Sequence, residues 1–180
     1  MSSDEQLIAD YLAGDEKSLE ILIKRYLKSI YSFCFRLVGD RQEAEDLTQE
    51  VFVKMWRNLK RFNRNKKFKT WIFTIAKNTC FDFLRKKKKI SILSLEKYFY
   101  LADFNPLPNE VFEKEGLRKK IQEVIEDLSF KTREVLNLYY NNGLTLKEIA
   151  EVLEEPINTV KSRHLRAIVK LKNIFKEDEN

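Results

Sequence analysis

The chain has 180 residues, of which 43% are apolar and 34% charged, so it holds enough core-forming side chains for one domain or two small ones and is not a disordered tail. Four glycines and three prolines are well below ordinary usage, which excludes a sheet protein rich in tight turns and favours an all-α fold. The formal charge of +6 is unevenly distributed, because residues 1–50 carry 11 acidic and 6 basic side chains while residues 51–90 carry 14 basic and 1 acidic. A basic block suits a polyanion, whereas the acidic stretch suits a protein partner.

Three helices are predicted in the acidic part of the chain. The first covers Asp4–Leu12, and a second begins after a cap at Asp15 and ends at Gly39. Asp40 and Glu43 have the spacing of a capping box and predict the start of a third helix. The outward face of this third helix is polar and acidic, so we expect it to bind protein.

A basic loop and a fourth helix follow. The loop, Lys60–Lys69, holds one aromatic residue, Phe62, and an amphipathic helix is predicted from about Thr70 to the lysine run that follows Arg85.

The two cysteines are predicted to be buried free thiols, since they lie far apart among apolar neighbours.

The helical periodicity fades after residue 90. Pro106 and Pro108 appear there and the local charge turns acidic, which indicates a linker. We therefore expect two small helical domains, residues 1–90 and 116–180, joined by a linker at residues 91–115.

The second domain carries the pattern of a helix-turn-helix. Helices are expected over Leu117–Leu128 and from Ser129 to Tyr140, before a capping box that runs from Thr145 to Glu148. Beyond that box, the small Ala150 allows a second helix to cross the first closely and at a steep angle. Pro156 cannot continue the first helix but can begin another, which is predicted to extend from Ile157 to Phe175.

The outward face of that last helix carries side chains suited to a DNA groove. These are Lys161, Ser162, Leu165 and Arg166, which supply cations, a hydroxyl and a contact for a thymine methyl group. The single histidine, His164, lies on the inward side and is expected to be a packed, hydrogen-bonded neutral imidazole. An ordinary amphipathic helical hairpin with a solvated basic face is the competing interpretation.

Two motif sets resemble the extracytoplasmic-function (ECF) sigma factors of bacterial RNA polymerase over nearly the whole chain. In the first domain, residues 45–52 with Trp56 resemble region 2.2, and residues 68–78 through Arg85 resemble regions 2.3 and 2.4. In the second, residues 128–136 resemble region 4.1, and residues 143–150 with 159–163 resemble region 4.2.

The resemblance implies a promoter-specificity subunit with three binding surfaces. Core RNA polymerase would bind Asp46, Gln49 and Glu50, and an inhibitory anti-sigma factor is an implied partner. The minus-10 element of promoter DNA would contact Phe62, Asn63, Lys69, Trp71, Asn78 and Arg85, with Phe62 or a neighbouring group stacking on an extruded base. A core position for Trp71, and a solvated basic run at residues 85–89 that complements the helix C-terminus, are the competing interpretations. The minus-35 element would contact Lys161, Ser162, Leu165 and Arg166.

The sequence departs from the family pattern at two places in the helix-turn-helix. His164 stands where an apolar residue is usual, and Glu154-Glu155 replaces the more usual glycine-containing turn, adding negative charge near the DNA.

The sequence has two competing interpretations in other function classes. A stand-alone helix-turn-helix regulator would bind a palindromic operator without polymerase. A nucleic-acid enzyme is disfavoured, since the sequence offers no acidic cluster, His/Cys metal set or glycine-rich phosphate loop. We expect no catalytic residue, metal, cofactor or small-molecule substrate. The sequence has no export signal or membrane-inserting segment, so the expected location is the cytoplasm.

Overall fold

The computed structural model describes residues 2–88 and 115–177 of the chain. The chain divides into two compact units, Met1–Ser91 and Ile92–Asn180. All regular secondary structure within the described ranges is helical, which confirms the predicted all-α fold with two small domains. The predicted linker at residues 91–115 and its two prolines lie almost wholly outside the described residues.

The N-terminal unit contains four α-helices. They are α1 (Asp4–Leu12), α2 (Glu16–Val38), α3 (Arg41–Asn58) and α4 (Phe68–Lys88), with a short 3-10 turn at Leu59–Arg61. The predicted caps of α2 and α3 are confirmed, because the carboxylate of Asp15 accepts the N–H of Lys17 and that of Asp40 accepts the N–H of Glu43. Gly39 ends α2 at a φ of 72°, a conformation that favours glycine.

Helices α2, α3 and α4 pack against one another, and α1 packs on α2. Each helix contributes one apolar stripe, and the fully buried side chains include Leu22, Ile30, Phe33, Val51, Met55, Ile72 and Phe73. Both cysteines are free and buried in this core, as predicted. Burial of this stripe leaves the polar face of α3 exposed to solvent and, on α4, Asn78 and residues 85–87.

The C-terminal unit contains the helix-turn-helix. Its helices are α5 (Glu115–Glu126), α6 (Phe130–Leu136), α7 (Leu146–Leu153) and α8 (Ile157–Glu177), and one π-helical turn, Asn137–Asn141, extends α6. The long helix α8 packs against α5, α6 and α7. Both halves of the predicted capping box are formed at the start of α7, between Thr145 and Glu148.

Candidate functional site

Helix α3 presents an exposed polar surface. Asp46, Gln49 and Glu50 are all exposed, and their spacing places them on one side of the helix, while Leu47 and Val51 are buried on the other. We call Asp46, Gln49 and Glu50 the acidic surface of α3. A cluster of carboxylates and an amide on a rigid helix suits a protein partner with basic and polar groups.

The acidic surface is tied to the neighbouring helix α4. The ammonium group of Lys54 lies 2.7 Å from a carboxylate oxygen of Glu50 and donates to the hydroxyl of Thr79 at 3.1 Å. At the other end of α3, Glu43 forms an ion pair with Lys87 of α4. Sequence reasoning did not single out Lys54, although its spacing of four residues from Glu50 is a visible signal.

The structure corrects the role expected of Phe62. Its side chain is only 8% exposed, and its ring packs at centroid distances of 4.8 Å from Trp71 and 5.8 Å from Phe68. A ring enclosed by two other aromatic rings is not free to stack on an extruded base, so Phe62 supports the basic loop from beneath. Trp71 is half-buried and is the more accessible ring of the two.

The other residues expected to bind the minus-10 element are at the surface. Trp71, Asn78 and Arg85 follow one another at intervals of seven residues, so they lie along one side of α4. Arg85 is well exposed and pairs with Asp82. In the loop, the exposed Asn63 accepts the N–H of Asn65 at 3.0 Å, and Lys69 is half-buried. A row of one aromatic, one amide and one guanidinium group suits a nucleic-acid strand.

The outward residues of α8 form a second surface, which we call the recognition face. Lys161, Leu165 and Arg166 are exposed and Ser162 is half-buried, whereas Val160 and Ala167 anchor the opposite side in the core. Leu165 is 64% exposed, which leaves its methyl groups available for contact. Arginine, lysine and serine on an exposed helix are the side chains that bind base edges and phosphates in a major groove.

The turn before α8 contains a glutamate in a conformation that favours glycine. Glu154 has φ of 57° and ψ of 39°, which is the left-handed region. This explains how Glu154 replaces the glycine usual in this turn. The conformation ends α7 and allows Pro156 to precede α8.

Glu155 does not present an unbalanced negative charge, contrary to the expectation from the sequence. Its carboxylate pairs with Arg163 of α8 and with Lys131 of α6, the latter at 3.3 Å. Burial by itself would raise the pKa of Glu155, but the hydrogen bonds and charges of Arg163 and Lys131 outweigh burial and lower it. Two cations therefore neutralise this turn residue, a pairing between distant residues that the sequence did not reveal.

The packing predicted for His164 is confirmed. Its ring lies 4.7 Å from that of Tyr139 and stacks on that of Tyr140 at 5.9 Å, and burial lowers the pKa of the imidazole. The expected hydrogen bond is not seen at Nε2, which is buried and has no partner among the described residues. Because the two tyrosines lie on the π-helical turn, their contact with α8 was not visible in helical periodicity.

Two kinds of feature are absent from the described ranges, 2–88 and 115–177. No helix there is long and apolar enough to cross a membrane. Within those same residues, no group of three or more His, Cys, Asp or Glu side chains is placed to hold a metal ion.

The two units together define a DNA-binding transcription protein, with an acidic surface and a basic surface in one unit and a helix-turn-helix in the other. Comparison with known protein families matches residues 22–90 to Sigma-70 region 2 and residues 118–171 to Sigma-70 region 4. The chain is 35% identical to the ECF RNA polymerase sigma factor SigW of Bacillus subtilis, over 83% of this chain and 84% of that protein. It is also 32% identical to the RNA polymerase sigma-H factor of Pseudomonas aeruginosa, over 91% and 89% of the two chains.

The chain therefore belongs to the ECF family of RNA polymerase sigma factors, and its function is promoter-specific initiation of transcription. Its fold is similar to that of CnrH in a complex with the cytosolic domain of CnrY, with a TM-score of 0.64 and 23% identity over 98% of this chain and 99% of that one. It is also similar to that of the sigma factor RpoE of Bartonella quintana in a complex with the anti-sigma factor NepR, with a TM-score of 0.65 and 24% identity over 89% and 98% of the two chains.

Proposed function

We propose that this chain binds core RNA polymerase through the acidic surface of α3 and promoter DNA through two separate surfaces. The minus-10 element would contact the basic loop and α4, and the minus-35 element would contact the recognition face of α8. The observation that carries the proposal is the placement of opposite charges on different helices of one unit, with a helix-turn-helix in the other unit. Such an arrangement serves one protein partner and one polyanion.

Each surface has assigned residues. Asp46, Gln49 and Glu50 bind polymerase. The minus-10 residues are Asn63, Lys69, Trp71, Asn78 and Arg85, with Phe62 as a packing residue beneath them. Lys161, Ser162, Leu165 and Arg166 read the minus-35 element. The unit boundaries at residues 90 and 116 and the linker between them belong to the same proposal.

Strand opening in this proposal needs no catalytic chemistry, and the chain acts as a binding protein and not as an enzyme. Binding of the extruded strand supplies the free energy, since stacking of a base on an aromatic side chain contributes about 1 to 3 kcal/mol. The loss of a base pair is compensated by contacts that exist only with the separated strand. The chain acts where polymerase acts, in the cytoplasm.

An anti-sigma factor is proposed as a further partner. Both solved structures named above are complexes with a second protein: CnrH with the cytosolic domain of CnrY, and the sigma factor RpoE with the anti-sigma factor NepR. In this chain the exposed acidic surface and the recognition face are the surfaces that an inhibitor would have to cover. A cell-extract pull-down with the tagged full chain is expected to recover such a protein in addition to polymerase.

A reconstituted transcription assay tests the proposal. Core polymerase plus this chain is expected to yield a specific transcript from a promoter that carries two dissimilar elements, and scrambling either element should abolish it. Asp46→Ala and Gln49→Ala are expected to weaken binding to core polymerase. Tight binding of the isolated chain to a palindromic site, without any effect of polymerase, would instead support a stand-alone regulator.

A further inference from the structure

Two large apolar side chains are exposed on α3 beside the acidic surface. Val53 is 43% exposed and Trp56 is 51% exposed, although their neighbours Val51 and Met55 are fully buried. The positions 46, 49, 53 and 56 follow the alternating spacing of three and four residues that marks one side of a helix. The acidic surface therefore continues without interruption into an apolar patch formed by Val53 and Trp56.

The indole of Trp56 is held by a residue of another helix. Its N–H donates to the hydroxyl oxygen of Tyr11, on α1, at 2.8 Å. Tyr11 and Trp56 are 45 positions apart in sequence, so this bond joins two helices. The bond leaves about half of the tryptophan surface exposed, which means that it orients the ring without covering it.

Helix α1 is firmly anchored, so Tyr11 is a fixed point. Leu7 and Ile8 are buried at 2% and 1% exposure. The carboxylate of Asp4 accepts the hydroxyl of Tyr26 and pairs with Arg25, with both contacts at 2.5 Å. The region matched to Sigma-70 region 2 begins at residue 22, so α1 precedes it.

We infer that Tyr11 is a positioning residue for polymerase binding: its hydroxyl orients the indole of Trp56, which with Val53 forms the apolar part of the surface that α3 presents to core RNA polymerase. This inference rests on the proposed function of the acidic surface. Polymerase is the occupant because the patch is continuous with Asp46 and Gln49 on the same side of the helix. Tryptophan is also the residue type most enriched among energetic hot spots of protein interfaces, and a side chain fixed before binding loses less entropy on binding.

Titration of the full-length chain against core polymerase provides the first test. Tyr11→Phe keeps the ring and removes the acceptor, so we expect binding weakened about threefold to tenfold, the usual range for one lost hydrogen bond. Trp56→Phe removes the donor and should weaken binding at least as much. In the Trp56→Phe background, Tyr11→Phe should add nothing, because the bond is already absent. The matched control is Tyr31→Phe on α2, where the same hydroxyl is removed from a ring stacked on Phe35.

A spectroscopic measurement separates positioning from general stability. The chain has two tryptophans, so labelling with 5-fluorotryptophan gives one ¹⁹F resonance for Trp56 and one for Trp71. Tyr11→Phe is expected to shift the Trp56 resonance and leave that of Trp71 and the thermal midpoint in place. Added core polymerase should shift or broaden the Trp56 resonance in the wild-type chain.

The outcomes distinguish this inference from the proposed function. If Tyr11→Phe and Trp56→Phe bound polymerase as tightly as the wild-type chain while Asp46→Ala bound more weakly, the inference would be overturned. The proposed role of the acidic surface would stand. Unimpaired binding by Asp46→Ala and Gln49→Ala would overturn both. The Trp56 resonance could instead change with the concentration of this chain alone and not on addition of polymerase. That result would show that the apolar patch binds a second copy of the chain, and it would also overturn the inference.

Discussion

Helices α3 and α8 are built alike but present opposite charges. Each buries an apolar stripe and exposes a polar side, yet the exposed side of α3 carries Asp46 and Glu50 while that of α8 carries Lys161 and Arg166. The two surfaces also differ in how their charges are already paired. Glu50 is bound by Lys54 within the unit, whereas the cations of α8 that are paired within the unit include Arg163, with Glu155, and Lys170, with Asp127. The sign of the exposed charge indicates the class of partner, and the internal pairs show which charges hold the fold together.

Reversing the charge on α3 is expected to have the largest effect. Asp46→Lys places a cation on the acidic surface proposed to bind polymerase. A partner that complements this surface would be repelled, so we expect a loss of about 3 kcal/mol in binding, roughly a hundredfold. The measurement is a titration of the full chain against core polymerase. Glu20→Lys makes the same charge change at an exposed site on α2 and should leave binding intact. Equal losses for both variants would mean that net charge matters and the position on α3 does not.

Truncation on α8 comes next. Arg166→Ala removes the side chain best suited to a guanine edge or a phosphate and should cost about 1 to 3 kcal/mol in promoter recognition. Transcription from promoters with intact and scrambled minus-35 elements measures the loss of selectivity. Lys170→Ala is the matched control, because Lys170 is an exposed cation of the same helix that pairs with Asp127. Unchanged minus-35 selectivity in Arg166→Ala would remove this residue from the recognition face.

A smaller effect is expected in the turn that sets the start of α8. Glu154→Gly relieves the left-handed strain of a non-glycine residue and should stabilise the C-terminal unit by about 1 kcal/mol, seen as a higher thermal midpoint. Glu151→Gly, in the exposed middle of α7, should destabilise by about the same amount. If both substitutions lowered the thermal midpoint, backbone strain at Glu154 would not be what limits the stability of the C-terminal unit.

The smallest effect concerns pH. Burial lowers the pKa of His164 below its ordinary value of 6.5, so the unfolded chain binds the proton more readily than the folded chain. Stability is therefore expected to fall as the pH drops below about 6.5, by a few tenths of a kcal/mol, since water screens the partly exposed ring. Burial raises the pKa of Tyr140, whose ring stacks on His164, and so moves its titration away from this range. The thermal midpoints at pH 7 and pH 5.5 should differ less in His164→Leu than in the wild-type chain, because the variant lacks the only histidine. An equal difference in the two chains would assign the pH dependence to other groups.

Local sequence signals predicted most of the fold because the relevant interactions are themselves local. The caps at Asp15 and Asp40 and the capping box from Thr145 to Glu148 each bond within three residues, so spacing alone identifies them. Helix α4 begins at Phe68, two residues before the predicted Thr70, which is the ordinary uncertainty of a helix end located from sequence.

The errors and omissions concern contacts between distant residues. Phe62 lies in a basic loop and was expected to face a base, but it packs under Trp71. The neutralisation of Glu155 by Lys131 depends on a residue 24 positions away, and no periodicity reports such a pair. The residues assigned to polymerase and DNA follow from resemblance to the family, and their individual roles stay predictions.

The paired ends of α3 and α4 have a mechanical consequence. Two side-chain contacts, Glu43 with Lys87 and Lys54 with Thr79, join the two helices near opposite ends of α3, and the space between the helices is filled by buried side chains. We expect two helices packed and linked in this way to shift together when a partner binds. A displacement that a protein partner imposes on α3 is therefore transmitted to the row formed by Trp71, Asn78 and Arg85 without a hinge to absorb it.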